Sequence, residues 1–285
     1  MTNSASAASP AILLVDNGSM APAATTNLRA IAARLGSALE RKVEPVSLLH
    51  SSAISAGELG GQPAEILESA LEERLRAGTA DFLVVPLFFG PSGALGDYLP
   101  RRVASLKIRF PQLQVRLGLP LVDVAEPHDQ RMAAILEDRV RAALPAAGAP
   151  PAVILVDHGS PVRAVAGVRD HLAAQLQARL GPAVRGVLAA SMERRDGPDY
   201  AFNEPLLERA LVQPGFDAGP VIVALLFLSP GRHAGPGGDI AQMCAAAERH
   251  QPGLKTVMTD PVGSHPGLIP ILLDRIRTGL ARPPL

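Results

Sequence analysis

Val153–Pro161 reads VILVDHGSP and Ile12–Met20 reads ILLVDNGSM. In both, a short aliphatic run closes on Asp-x-Gly-Ser, the pattern of a buried strand followed at once by a tight turn. With His158 laid on Asn17 the offset is 158 − 17 = 141 residues, and other landmarks keep step. PLLERAL from Pro205 lies 142 residues after PAEILESAL from Pro63, and LFLSP from Leu226 lies 139 after LFFGP from Leu87. One unit is therefore written twice in tandem. The Ala-, Pro- and Gly-rich LPAAGAPPA, Leu144–Ala152, reads as the linker between the copies.

Outward from these two turns, apolar runs alternate with amphipathic stretches, which is how a parallel sheet covered by helices on both faces is written. Strands are expected at 12–15, 43–49, 82–89 and 115–119, and again at 153–156, 184–188, 221–228 and 256–258. Leu28, Ile31, Leu35 and Leu39 share a helical face, as do Val165, Val168, Leu172, Leu176 and Leu180. The expected fold is α/β: two tandem doubly wound domains, each a four-stranded parallel sheet with helices on both faces. The expected division is a disordered tail over 1–10, a first domain over 11–143, the linker at 144–152 and a second domain over 153–285.

At 285 residues the chain has length for two cores. Lys plus Arg equals Asp plus Glu at 27 each, which excludes the strong positive field of a dedicated nucleic-acid binder. Cys244 is the single cysteine, so neither an internal disulfide nor a thiolate metal centre can form. The first residues lack a basic region and apolar run, and no apolar stretch approaches the ~20 residues of a membrane span. A cytoplasmic protein without nucleic-acid or membrane partners is expected.

Ligands of an open parallel sheet bind beyond the carboxyl ends of its strands, where strand order reverses. His158 follows the first strand of the second copy, Glu193 the second and His233 the third. With strand order 2-1-3-4 these tips are neighbours. Two imidazoles and a carboxylate suit a divalent first-row metal, and the same groups accept protons near neutrality. The first copy carries Asn17, Ser51 and Ala94 in the matching places on an ungapped local alignment. A purely structural role for the histidines would be expected in both copies.

Glu204, matched by Gln62, reads as a first-turn carboxylate facing a helix dipole. His265 and His128 read as capping or solvated residues, and His50, His171 and His250 as surface. The glycines of PGRHAGPGG, Pro230–Gly238, fit neither a dinucleotide nor a triphosphate loop, but they let backbone approach a flat ligand. Arg163, Arg194, Arg195 and Arg232 flank the rim in sequence and could hold ligand carboxylates.

The strand ending in His158-Gly159-Ser160, the segment LFLSPGRH running through His233 into a Gly-rich turn and Asp239-Ile240, and Ser191-Met192-Glu193 together resemble the sirohydrochlorin cobaltochelatase and ferrochelatase family, the class II chelatases. The resemblance covers nearly the whole chain, since long members also carry two similar halves. It implies two chelatase-like, Rossmann-like lobes and ATP-independent insertion of a divalent metal into a tetrapyrrole, in cobalamin or siroheme biosynthesis. It implies His158, His233 and Glu193 as metal ligands and bases, with Ser160 and Arg232 on substrate carboxylates. Metal (Co2+, Fe2+ or Ni2+) and tetrapyrrole are then substrates, with no organic cofactor.

Several long members carry their histidines in the first half, whereas Asn17 and Ala94 stand there in this chain, so the active site is expected on the second half. The stretch between Glu193 and Pro205 is longer than the family's compact E-x-x-P arrangement, which leaves the carboxylate open between Glu193 and Glu204. The unarmed half is expected to act as a binding wall, so that one subunit suffices as a monomer. The rival reading is a non-catalytic metal or tetrapyrrole carrier on the same fold.

Overall fold

The computed structural model describes residues 9–146 and 148–285. The first eight residues of the expected tail and Ala147 of the expected linker lie outside the described residues. Pro10, read as tail, is held: its carbonyl accepts a hydrogen bond from Arg41 at 2.9 Å.

Among the described residues eight strands and eight α-helices follow in order: β1 (Ala11–Asp16), α1 (Pro22–Leu39), β2 (Val43–Ser47), α2 (Leu67–Arg76), β3 (Asp81–Pro86), α3 (Leu99–Arg109), β4 (Gln114–Leu117) and α4 (Arg131–Ala142). The repeat continues with β5 (Ala152–Asp157), α5 (Arg163–Leu180), β6 (Gly186–Ser191), α6 (Leu207–Ala210), β7 (Gly219–Leu225), α7 (Asp239–His250), β8 (Leu254–Met258) and α8 (Leu268–Leu280). All pairings are parallel, in the orders β2-β1-β3-β4 and β6-β5-β7-β8. The expected fold class is borne out, and the order 2-1-3-4 on which the three neighbouring tips depended is the one observed. In each sheet the order reverses beside the central first strand, which puts the turns after β1 and β5 at the switch point.

The central strands are buried on both sides, as Val153, Ile154, Leu155 and Val156 at 0 % exposure illustrate. Leu13, Val15, Phe82 and Val84 pack with Leu67, Leu71, Leu99 and Val103 of α2 and α3. Ile154, Val156, Val221 and Val223 pack in the same manner with Leu207 and Ile240 of α6 and α7. β6 runs Gly186–Ser191, later than the aliphatic letters at 184–188 suggested, because Ala189 and Ala190 continue the ladder against Leu155 and Val156. Small residues carry little apolar signal, yet their backbone pairs as well as any other.

Two compact units are formed, one from residues up to Phe88 with Gly93–Pro120 and Leu272–Leu285, the other from Phe89–Ser92 with Leu121–Ile271. α4 thus belongs to the unit of the second sheet, where Arg179 of α5 donates to Glu137 at 2.6 Å. Most of α8 belongs to the unit of the first sheet. There Arg275 donates to the Pro120 carbonyl at 2.8 Å, and the Leu285 amide donates to Val115 at 2.8 Å. Among the described residues no helix is long and apolar enough to cross a membrane.

The turn after β1 is built on a shielded carboxylate: Asp16 accepts from the Gly18 amide at 3.0 Å and pairs with Ser47. Burial lifts its carboxyl above the ordinary carboxylate range against these hydrogen bonds, and no cation is among the groups acting on it. A raised folded-state pKa means that the ionised form costs stability at neutral pH, a cost that disappears as pH falls through the folded and then the unfolded value. Asp16→Asn, which keeps the acceptor oxygen, is therefore expected to raise the unfolding midpoint at pH 7 to 8. The gain over wild type should shrink towards acid in denaturant titrations. A difference that grows towards acid would refute this account of the turn.

Candidate active site

β5 ends at Asp157 beside Ser191 at the end of β6. The two chains stay zippered past their tips: the Met192 amide donates to the Asp157 carbonyl at 2.8 Å and the Glu193 amide to the His158 carbonyl at 3.1 Å. This closeness requires Gly159, whose φ is +91° and where a Cβ would lie 1.9 Å from the Glu193 carbonyl oxygen. The side chains that leave this junction are His158 and Glu193, with His158 Nε2 3.7 Å from Glu193 Oε1.

From the tip of β7 the chain turns through Gly231–Gly238, folded back by hydrogen bonds from the Asp239 and Ile240 amides to the Arg232 and His233 carbonyls at 3.1 and 3.2 Å. His233 is thereby set edge-on to His158, with ring centroids 4.9 Å apart and planes at 83°. The structure therefore brings together the three side chains expected at the rim. Its register also revises two counterparts in the first half. Leu49 occupies the place of Glu193, since its amide bonds the Asn17 carbonyl and its own carbonyl lies against Gly18. The bridges Ser47–Ile66 and Ser191–Leu206 put Ala64, not Gln62, opposite Glu204. An ungapped alignment missed both because the segments around β2 and β6 differ in length.

The hydrogen-bond partners orient both rings. His233 Nδ1 lies 2.6 Å from Asp239 Oδ2. An ionised carboxylate only accepts, so Nδ1 carries the proton and Nε2 keeps a lone pair for a metal or a proton. His158 has an acceptor beside each ring nitrogen, the Gly159 carbonyl oxygen 3.3 Å from Nδ1 and Glu193 Oε1 3.7 Å from Nε2, and in its Nδ1–H tautomer Nε2 turns a lone pair towards Glu193. Two acceptors facing one another call for a cation or a proton between them. Among the described residues no group of three His, Cys, Asp or Glu is arranged to hold a metal ion by itself. The rim offers a pair of imidazole donors with a carboxylate beside them.

Glu204 is held elsewhere in this rim: Arg194 donates to it at 2.7 Å, Arg209 at 3.2 Å and the Leu206 amide at 3.0 Å. Burial pushes its carboxyl up, but the hydrogen bonds from Arg194 and the Leu206 amide and the charges of Arg209 and Arg194 prevail and hold it below the usual range. Ser160 Oγ accepts from the Val162 amide at 3.1 Å at the entry to α5, while Asn203 clamps the Ser160 backbone at both its amide and carbonyl, each at 3.0 Å. Arg232 is 83 % exposed, its Nε 3.7 Å from Asp239. Arg163 stacks over Phe202 at 4.7 Å and Arg195 over Tyr200 at 5.8 Å. His265, expected to cap, accepts from the Gly267 amide at 3.1 Å before α8. His171 differs from its surface reading, since its Nε2 is buried without a hydrogen-bond partner.

Two contributors escaped the reading of the letters. Asp239 stands in the sequence only as the acidic residue after the Gly-rich turn, and its spacing from His233 does not by itself show that the turn folds back to pair them. Arg169 lies on the apolar face of α5 yet is 2 % exposed. Its signal was its place four residues after Val165 and three before Leu172.

Residues 152–279 match the model of the CbiX family. No curated protein sequence matches the chain. Among solved structures, SirB from Bacillus subtilis with Fe3+ is 19 % identical with a TM-score of 0.67, over 95 % of this chain and 96 % of that one. The sirohydrochlorin chelatase SirB from Bacillus subtilis subspecies spizizenii in complex with cobalt is 17 % identical with a TM-score of 0.68, over 95 % of each. DR2241 from Deinococcus radiodurans, a multi-domain protein with structural similarity to chelatases, is 19 % identical with a TM-score of 0.55, over 93 % of this chain and 54 % of that one. The expected resemblance is borne out at the level of similarity: residues 152–279 are similar to the CbiX family, and the chain as a whole has the two-sheet fold of the solved SirB chelatases.

Proposed function

We propose that the protein inserts a divalent metal, cobalt or iron, into a tetrapyrrole such as sirohydrochlorin without ATP. The observation that carries this reading is the facing of His158 Nε2 and Glu193 Oε1 at 3.7 Å with the His233 ring alongside. The CbiX match of the same half supports it, as does the likeness to SirB, a sirohydrochlorin chelatase solved with Fe3+ and with cobalt.

Insertion strips water from the ion, forms metal–nitrogen bonds on one face of the ring and releases two pyrrole protons for each divalent metal. His158 and His233, presenting lone pairs from Nε2, hold the ion with positions left open for the incoming ring nitrogens. Glu193, exposed beside them, takes the departing protons in turn and passes them to solvent. Asp239 keeps His233 in the ligating tautomer. Arg232 and the amides near Ser160 receive the carboxylates of the macrocycle.

The test is anaerobic incubation of excess sirohydrochlorin with Co2+, Fe2+ or Ni2+, followed by absorption. Many equivalents converted per chain are expected. Conversion limited to one equivalent would favour a metal or tetrapyrrole carrier and overturn the enzyme. Glu193→Gln is expected to lower kcat by about 10²-fold with a smaller change in Co2+ affinity. Glu204→Gln should instead cost stability. Because the Glu204 carboxyl is held low, its contribution is present above the unfolded pKa and lost as pH falls through the folded one. A larger kcat effect at Glu204 would move the base to that residue.

A further inference from the structure

α1 and α5 are equivalent helices of 18 residues each, and the offset of 141 lays Arg169 on Leu28. Both positions face a core. The Asp-x-Gly turn is the same in the two halves: Asp16 receives Gly18 and pairs with Ser47, while Asp157 receives the Gly159 amide at 3.1 Å and the Ser191 hydroxyl at 2.6 Å. The first half thus builds this turn over a leucine, and the turn itself does not require a cation.

Arg169 adds connections that the first half lacks. Its Nη1 donates to Ser191 Oγ and, at 3.3 Å, to the Asn203 carbonyl. Its Nη2 donates to the Phe202 carbonyl at 3.1 Å and to Asp170 at 2.7 Å, and its Nε donates to Asp170 at 2.9 Å. Every donor of the guanidinium is engaged. Asp157 lies 3.8 Å from Nη1. One buried side chain therefore grips the tip of β6 two residues before Glu193, and lies beside the tip of β5 one residue before His158. It also grips the 202–203 segment, whose Asn203 holds Ser160 on the far side of His158.

We propose that Arg169 is a positioning residue that sets the separation and orientation of His158 and Glu193. It touches no substrate. It acts by locking the two strand tips and the returning loop into one rigid frame, as outer partners of metal-binding side chains do. The catalytic part of this inference rests on the function proposed above; the geometric part does not.

Arg169→Leu, which installs the residue of the first half, and Arg169→Lys test it. Arg169→Leu is expected to lower kcat about 10- to 100-fold with a smaller change in KM for sirohydrochlorin, and to weaken Co2+ binding by a similar factor. The ring resonances of His158 should shift by NMR, and Arg169→Lys should recover part of each loss. A folded Arg169→Leu protein with wild-type kcat and unshifted His158 resonances would overturn the proposal. If Arg169→Leu does not fold because Asp157 is left as an unpaired buried charge, the double variant D157N/R169M is compared with D157N alone. An equal kcat and equal His158 resonances in that pair would overturn it as well. If the wild-type protein shows no turnover, the proposed function fails, while a shifted His158 ring in Arg169→Leu still supports the positioning role.

Discussion

His233→Ala is expected to lower metal insertion by about 10²- to 10⁴-fold while the protein stays folded, with His158→Ala close behind it. Each change removes a lone-pair nitrogen that can serve as metal ligand and proton acceptor, and water substitutes poorly for an oriented imidazole. His158 is 48 % and His233 31 % exposed, so neither fills a core, and unfolding midpoints should remain close to wild type. Steady-state rates with sirohydrochlorin and Co2+, measured alongside denaturant titrations, decide the matter. Near-normal turnover in either folded variant would refute the site. The same measurements predict one metal site per chain by calorimetry, because Asn17, Leu49 and Ala94 supply no comparable donors in the first half.

The second large effect concerns the glycines of the two turns. In Gly159→Ala the new methyl would meet the Glu193 carbonyl at 1.9 Å, and in Gly18→Ala it would meet the Leu49 carbonyl at 1.7 Å. Both positions have φ near +90°, so backbone strain adds to a clash with main-chain atoms that cannot swing away. Each is expected to destabilise the protein by about 4 kcal/mol or more, among the largest effects of single substitutions. Their consequences for chemistry should differ. The folded fraction of Gly159→Ala must have parted the β5 and β6 tips and should lose Co2+ binding, whereas that of Gly18→Ala should retain it. Co2+ titration of the purified folded fractions checks this, and equal loss in both would show that Gly159 acts only through stability.

Much of the site could be read in the letters because it lies at strand tips. A parallel strand flanked by helices leaves a strong apolar signal, and the residue after it is at the rim by construction, so His158 and His233 stood out at once. Glu193 was harder to place. Its strand, β6, closes on Ala189 and Ala190, whose small side chains blur the end of the run, and the apparent counterpart Ser51 gave way to Leu49 once strand register was visible. The choice between Glu193 and Glu204 depends on where Arg194 and Arg209 reach, which spacing does not encode.

What the amino-acid order determined by itself was the duplicated α/β architecture and the half that carries the imidazoles, because period, turn chemistry and repeat offset are local properties of a chain. Tertiary structure alone decided that α4 packs in the unit of the second sheet and most of α8 in that of the first, since an amphipathic helix announces that it has an apolar face but not which surface will cover it. It alone also revealed the Asp239 brace on His233 and the burial of Arg169 among Ser191, Phe202 and Asn203. Those contacts join residues up to 34 positions apart, and directional hydrogen bonds over such separations exist only once the strands have fixed where each donor and acceptor stands.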